Sequence, residues 1–245
     1  MDEFHYGVTP IETWLKTDLM KSSRLGQGTA FFYDCKEVHY LITNKHMVYT
    51  EDPPRYPNTF KIKIHTNRDV VREVRDVEIP LYDENKEPLW LEHPHLIDVD
   101  IIALDMTEHL KGSDVIFRWT KDDFPSQSQV NLGSVVSIIG YPLGFYDSLH
   151  NLPIARFGTI ASPYEVGFEG EPFFLVDSTL HHGISGSPVI IPRAGIHHRR
   201  SRARPTPLHT LLGVISAREH DPNTGINLEL GRVWYPLLIE EIINQ

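Results

Sequence analysis

The sequence predicts an all-β chain of two sandwiches or barrels, closed by one C-terminal α-helix. Short apolar runs recur throughout its 245 residues. Each is bounded by Gly, Pro, Asn or Asp and is rich in β-branched and aromatic side chains, which suits strands. Few segments keep a helical period over three turns, and a β-rich chain of this length fits two β-units.

The runs come in order as Thr29–Tyr33, His39–Thr43, Phe60–His65, Ile101–Asp105, Val135–Gly140, Phe173–Val176, Val189–Pro192 and Leu211–Ile215. Between them, Asp83–His95 is polar and reads as a loop leading into a strand. Thr107–Ser128, with Gly112 and Pro125, reads as the joint between halves, giving units of 1–112 and 113–245. Arg193–His209 carries Arg193, Arg199, Arg200, Arg202 and Arg204 with two Pro, and reads as a long exposed loop. The helix is expected at the C-terminus, where Leu238, Ile239 and Ile242 recur at helical spacing behind Pro236.

Composition sets limits on function. Hydrophobic residues at 40% and charged residues at 23% belong to globular proteins. No apolar run approaches the roughly 20 residues needed to span a bilayer, so no membrane partner is expected. Met1-Asp2-Glu3-Phe4-His5 is acidic with no apolar stretch after it, unlike a secretory signal. Cys35 is the only cysteine, which excludes an internal disulfide and fits a reducing cytoplasm. The net charge of −10 argues against nucleic-acid binding.

The segment Gly183-Ile184-Ser185-Gly186-Ser187-Pro188 carries the chemistry. A nucleophilic Ser needs a tight turn with backbone N–H groups free to hold an oxyanion, and flanking Gly supplies the room. Taken alone, the segment reads equally as an ordinary turn before a strand. A Ser nucleophile also needs a base and a group that holds the base. Among 14 His, His46 stands out because it closes the strand-like Tyr40–Thr43 run; the bland reading is a packing His. Asp100, directly before Ile101–Leu104, is the carboxylate candidate; it competes with Asp98, and either could be a strand-edge cap.

Taken together, these segments resemble the chymotrypsin-fold (trypsin-like) serine peptidases, in particular their stand-alone, disulfide-free bacterial members. The chain order His46, Asp100, Ser185 is the family's. Gly28-Thr29-Ala30-Phe31, Leu41–His46 and Asp100–Leu104 are similar to its N-terminal strands. Val135–Pro142 and Leu212–Ser216 are similar to later ones. The resemblance implies two six-stranded antiparallel β-barrels with the site between them. In that scheme Ser185 is the nucleophile, His46 the base and Asp100 the group that orients it. The N–H groups of Gly183 and Ser185 form the oxyanion hole. It implies a protein or peptide substrate and no cofactor. Alternatives are a non-catalytic peptide-binding module on the same fold, or a peptidase latent until a regulatory partner binds.

The chain departs from the family in places. Ile184 stands where secreted members carry the Asp that pairs with a freshly cut N-terminus, so activation by N-terminal cleavage is not expected. Thr179, at the base of the substrate pocket the resemblance implies, disfavours a preference for Arg or Lys. Ser216 is expected near Asp100 and beside that pocket. Arg218 either narrows the pocket and attracts acidic groups or points to solvent. A small, polar or acidic residue is therefore expected before the cut. His181-His182 and His197-His198 lack the spacing for tetrahedral zinc, so no metal is expected. Cys35 reads as a packing residue.

Overall fold

A computed structural model describes residues 3–17, 22–51, 53–125, 130–192, 209–220 and 224–245, with the backbone alone at 192, 217, 218 and 220. The Arg-rich segment and His197-His198 lie outside these residues. Each apolar run named above falls in or overlaps a strand.

The N-terminal unit begins with β1 (Val8–Lys16), β2 (Ser22–Cys35) and β3 (Val38–Thr43). A short hairpin follows, β4 (Thr50–Glu51) with β5 (Pro54–Arg55). Then come β6 (Thr59–His65), β7 (Val74–Pro80), β8 (Trp90–Glu92) and β9 (Ile102–Asp105). Apart from the hairpin they form a seven-stranded sheet in the order β7-β6-β1-β2-β3-β9-β8. The expected count was six; the short β8, pairing Trp90 with Leu104, is the addition. Ile11, Phe32, Leu41, Phe60, Val77 and Trp90 share one core, so the sheet wraps around its own interior. Its edges approach where Leu89 N–H donates to Leu81 O at 2.9 Å and Tyr82 bridges Pro88.

The C-terminal unit is a closed barrel of β10 (Val135–Gly140), β11 (Ile154–Ile160), β12 (Phe173–Asp177), β13 (Pro188–Pro192), β14 (His209–His220) and β15 (Asn227–Trp234). Val136, Ile138, Phe174, Val189, Leu212 and Val233 fill it. The chain ends in α1 (Leu237–Ile243), which buries Leu238, Ile239 and Ile242 as its spacing predicts. Among the described residues no helix is long and apolar enough to cross a membrane.

A third apolar cluster joins the units. Successive strand residues point to opposite faces. Phe31 and Ile42 therefore turn into this cluster, while their neighbours Phe32 and Leu41 fill the first interior. Across the junction Ile139 and Phe173 do the same, opposite Ile138 and Phe174. Trp119 and α1 complete the cluster. The chain follows the first sheet past residue 112: Val115 N–H donates to His65 O at 2.8 Å, and Trp119 N–H to Phe32 O at 3.0 Å. Cys35 is half-buried and packs against the shared cluster.

Trp119 is fully buried at the junction. Trp119→Ala is expected to destabilise the protein by about 3–5 kcal/mol, the cost of an unfilled aromatic cavity. Urea unfolding of the variant measures it.

Candidate active site

Strand β3 is paired on both sides, by β2 and β9, and its Leu41 and Ile42 are fully buried. It is a rigid lever. Its end runs through buried Asn44 into a 3₁₀ turn, Lys45–Met47, which presents His46. Asn44 Nδ2 donates to the Asp100 carbonyl at 2.6 Å, tying this turn to the start of β9. His46 and Asp100 then meet twice. The His46 backbone N–H donates to Asp100 Oδ1 at 2.9 Å, and Nδ1 lies 2.7 Å from Oδ2. Asp98, the competing carboxylate, is exposed.

Ser216, on β14 of the other unit, donates its hydroxyl to Asp100 Oδ2. Burial pushes the Asp100 carboxyl up, but the adjacent His46 charge and the hydrogen bonds from His46 and Ser216 outweigh it. The net position is below the usual carboxylate range. Burial likewise pushes His46 down, and the charge and hydrogen bond of Asp100 raise it above the usual imidazole range. Asp100 therefore stabilises the fold above about pH 4 and loses that contribution as pH falls through its depressed pKa. His46 stabilises the fold below about pH 6.5 and loses that contribution as pH rises through its raised pKa.

Ser185 sits on a turn that only glycine permits. Gly183 and Gly186 have φ of +90° and +84°. A Cβ on Gly183 would lie 2.6 Å from the Tyr141 carbonyl oxygen, and one on Gly186 would lie 2.1 Å from that of Thr29. The first sheet grips this turn: Thr29 N–H donates to Ser185 O at 2.9 Å, and Thr29 Oγ1 donates to Gly183 O at 2.8 Å. Ile184 points the other way, into the second barrel's core, and is 2% exposed. Among the described residues no acceptor takes the N–H of Gly183 or Ser185. Two donors beside a half-buried hydroxyl can hold a developing oxyanion.

His46, Ser185 and Gly183 line one cleft of about 130 Å³, together with Gln27, Arg55 and His182. The Ser185 hydroxyl does not bond to His46; it donates to the Ser216 carbonyl at 3.3 Å. Ser216 thus touches both Asp100 and Ser185. Thr179 is exposed and does not line this cleft. Arg218 pairs with Gly231 in the β14–β15 register, and its side chain lies outside the described residues. His181 is half-buried, His182 is exposed, and among the described residues no cluster of metal-ligating side chains forms. Sequence reasoning gave no role to Thr29, Asn44 or Arg55. Thr29 and Asn44 lie within the quoted segments, but their partners are more than 50 residues away.

The family of the trypsin-like peptidase domain matches residues 28–195. No curated protein matches the chain. Two solved structures of the HtrA-type protease AlgW with tripeptide are similar in fold, at 16% and 17% identity and TM-scores of 0.57 and 0.56. Each match covers 98% of this chain and 60% of the neighbour, so the chain spans less than two thirds of those proteins.

The raised pKa of His46 is directly measurable. An NMR titration is expected to place its midpoint above about 6.5, and Asp100→Asn is expected to lower it. An unchanged midpoint in that variant would show that Asp100 does not hold the imidazole.

Proposed function

The chain belongs to the trypsin-like peptidase family, and from that premise we propose that it is a serine endopeptidase acting through Ser185, His46 and Asp100. One observation carries the reading. His46 from one unit, its Nδ1 2.7 Å from Asp100 Oδ2, and Ser185 from the other line the same cleft. The site needs no cofactor for this chemistry. A protein or peptide is the proposed substrate, in keeping with neighbours whose structures contain a tripeptide.

The steps follow from the groups in place. Ser185 Oγ attacks the scissile carbonyl carbon as His46 Nε2 takes its proton. The carbonyl oxygen becomes an oxyanion held by the N–H groups of Gly183 and Ser185, each such donor being worth about 10²–10³ in rate. Asp100 keeps the other imidazole nitrogen protonated and stabilises the imidazolium. His46 then gives the proton to the leaving amine, and the acyl group stays on Ser185. Water, deprotonated by His46, releases the acid and restores the serine.

Activation does not involve N-terminal cleavage in this scheme. Ile184 is packed among Val136, Ile138 and Val189 and offers no carboxylate to a new amine. The single cysteine is consistent with a reducing cytoplasm as the setting. A second reading, a peptidase latent until a partner binds, draws support from the Ser185 hydroxyl. It rests on the Ser216 carbonyl and must turn toward His46 before attack.

A fluorophosphonate probe is expected to label the protein, and Ser185→Ala is expected to abolish labelling. Asp100→Asn is expected to slow peptide hydrolysis by on the order of 10⁴-fold. Well-folded native protein that never labels would remove the peptidase reading, whereas labelling only with an added partner would establish latency. Mass spectrometry should find the labelled and unlabelled chains with the same N-terminus.

A further inference from the structure

Arg55 is a charged group at the catalytic cleft that the proposed mechanism does not use. It ends the β4–β5 hairpin, which follows the His46 turn directly in the chain. Its side chain is exposed and lines the cleft that also holds His46 and Ser185. The guanidinium stands over Gly26: a Cβ built there would lie 3.9 Å from Nη1. A glycine at that point leaves the space beneath the guanidinium open.

Charge pairing sets Arg55 apart from its neighbours. An adjacent cavity of about 630 Å³ shares Gln27 with this cleft, and its cations are neutralised in place. There Arg24 faces Glu12 at 3.3 Å, Lys63 faces Asp76 at 2.7 Å and Lys61 faces Glu78 at 2.9 Å. Among the described residues Arg55 has no carboxylate partner. Among the described residues, the cleft around Ser185 is lined by Arg55, His46 and His182 and by no Asp or Glu. In a chain of net charge −10, the described residues of this cleft thus offer a cation and no anion. A substrate carboxylate is the group that complements it, since a guanidinium presents a planar fork of donors to two oxygens.

We propose that Arg55 is a specificity-determining residue, accepting an aspartate or glutamate of the substrate close to the scissile bond. This rests on the peptidase reading above. Because the guanidinium is open to water, the contribution is modest and weakens with salt.

A fluorogenic peptide library, randomised over three positions on each side of the cut, provides the test. Its best Glu-containing members are compared with their Gln twins at low ionic strength. The native protein is expected to favour Glu over Gln at one position by on the order of fivefold in kcat/KM. Arg55→Gln should bring that ratio to about one, and Arg55→Glu should invert it. Equal cleavage of the twins by native protein at every position would overturn the proposal. So would a ratio unchanged in Arg55→Gln.

If no peptide is cut, the same twins are bound to Ser185→Ala protein and read by fluorescence anisotropy. A Glu preference that vanishes with Arg55→Gln would then uphold Arg55 as the recognition group while the peptidase reading fails. A Glu preference that is absent, or that survives the substitution, would overturn the role of Arg55.

Discussion

His46 and Asp100 are carried by one β-unit and Ser185 by the other, so a slip of about one ångström between units would disturb the geometry that the proposed reaction needs. The apolar cluster between the sheets prevents that slip. Phe31, Tyr33, Ile42 and Trp119 on one side interlock with Tyr141, Phe173, Val214 and Trp234 on the other. Interiors this dense resist small displacements, because any shift opens voids or forces overlap. Polar bonds across the same seam refine the register. Thr29 grips both ends of the Ser185 turn, and Ser216 reaches back to Asp100.

This seam also explains which strands can be read from the sequence. Strands β2, β3, β10, β12 and β13 place side chains in both a unit core and the shared cluster. Burial on two faces makes them continuous apolar runs, which stand out. Strands β7 and β11 bury one face only. In Val74–Pro80, Val77 and Ile79 alternate with exposed Asp76, Glu78 and Pro80, which dilutes the signal. Strand β1 hides behind Pro10 and the same alternation. The helix was legible because Leu238, Ile239 and Ile242 fall on one face.

The site divides in the same way. Ser185 between two glycines, His46 at a strand end and Asp100 before another strand are local patterns. The choice of Asp100 over Asp98 is not local: it depends on which carboxylate the turn after β3 faces, and only the fold decides that. The Thr29 grip and the placement of Arg55 beside the cleft are likewise products of chain segments far apart in sequence. The resting position of the Ser185 hydroxyl, on the Ser216 carbonyl, belongs to the same class.

The central claim is that two units place Ser185, His46 and two free N–H groups around one reacting centre. A crystal structure of the fluorophosphonate adduct tests it most directly. The expected structure has phosphorus bonded to Ser185 Oγ and a phosphonyl oxygen about 2.7–3.1 Å from the N–H of both Gly183 and Ser185. His46 should remain on Asp100, with Nε2 turned toward the Ser185 oxygen. An adduct whose phosphonyl oxygen points to bulk solvent, or in which His46 has left Asp100, would contradict the claim.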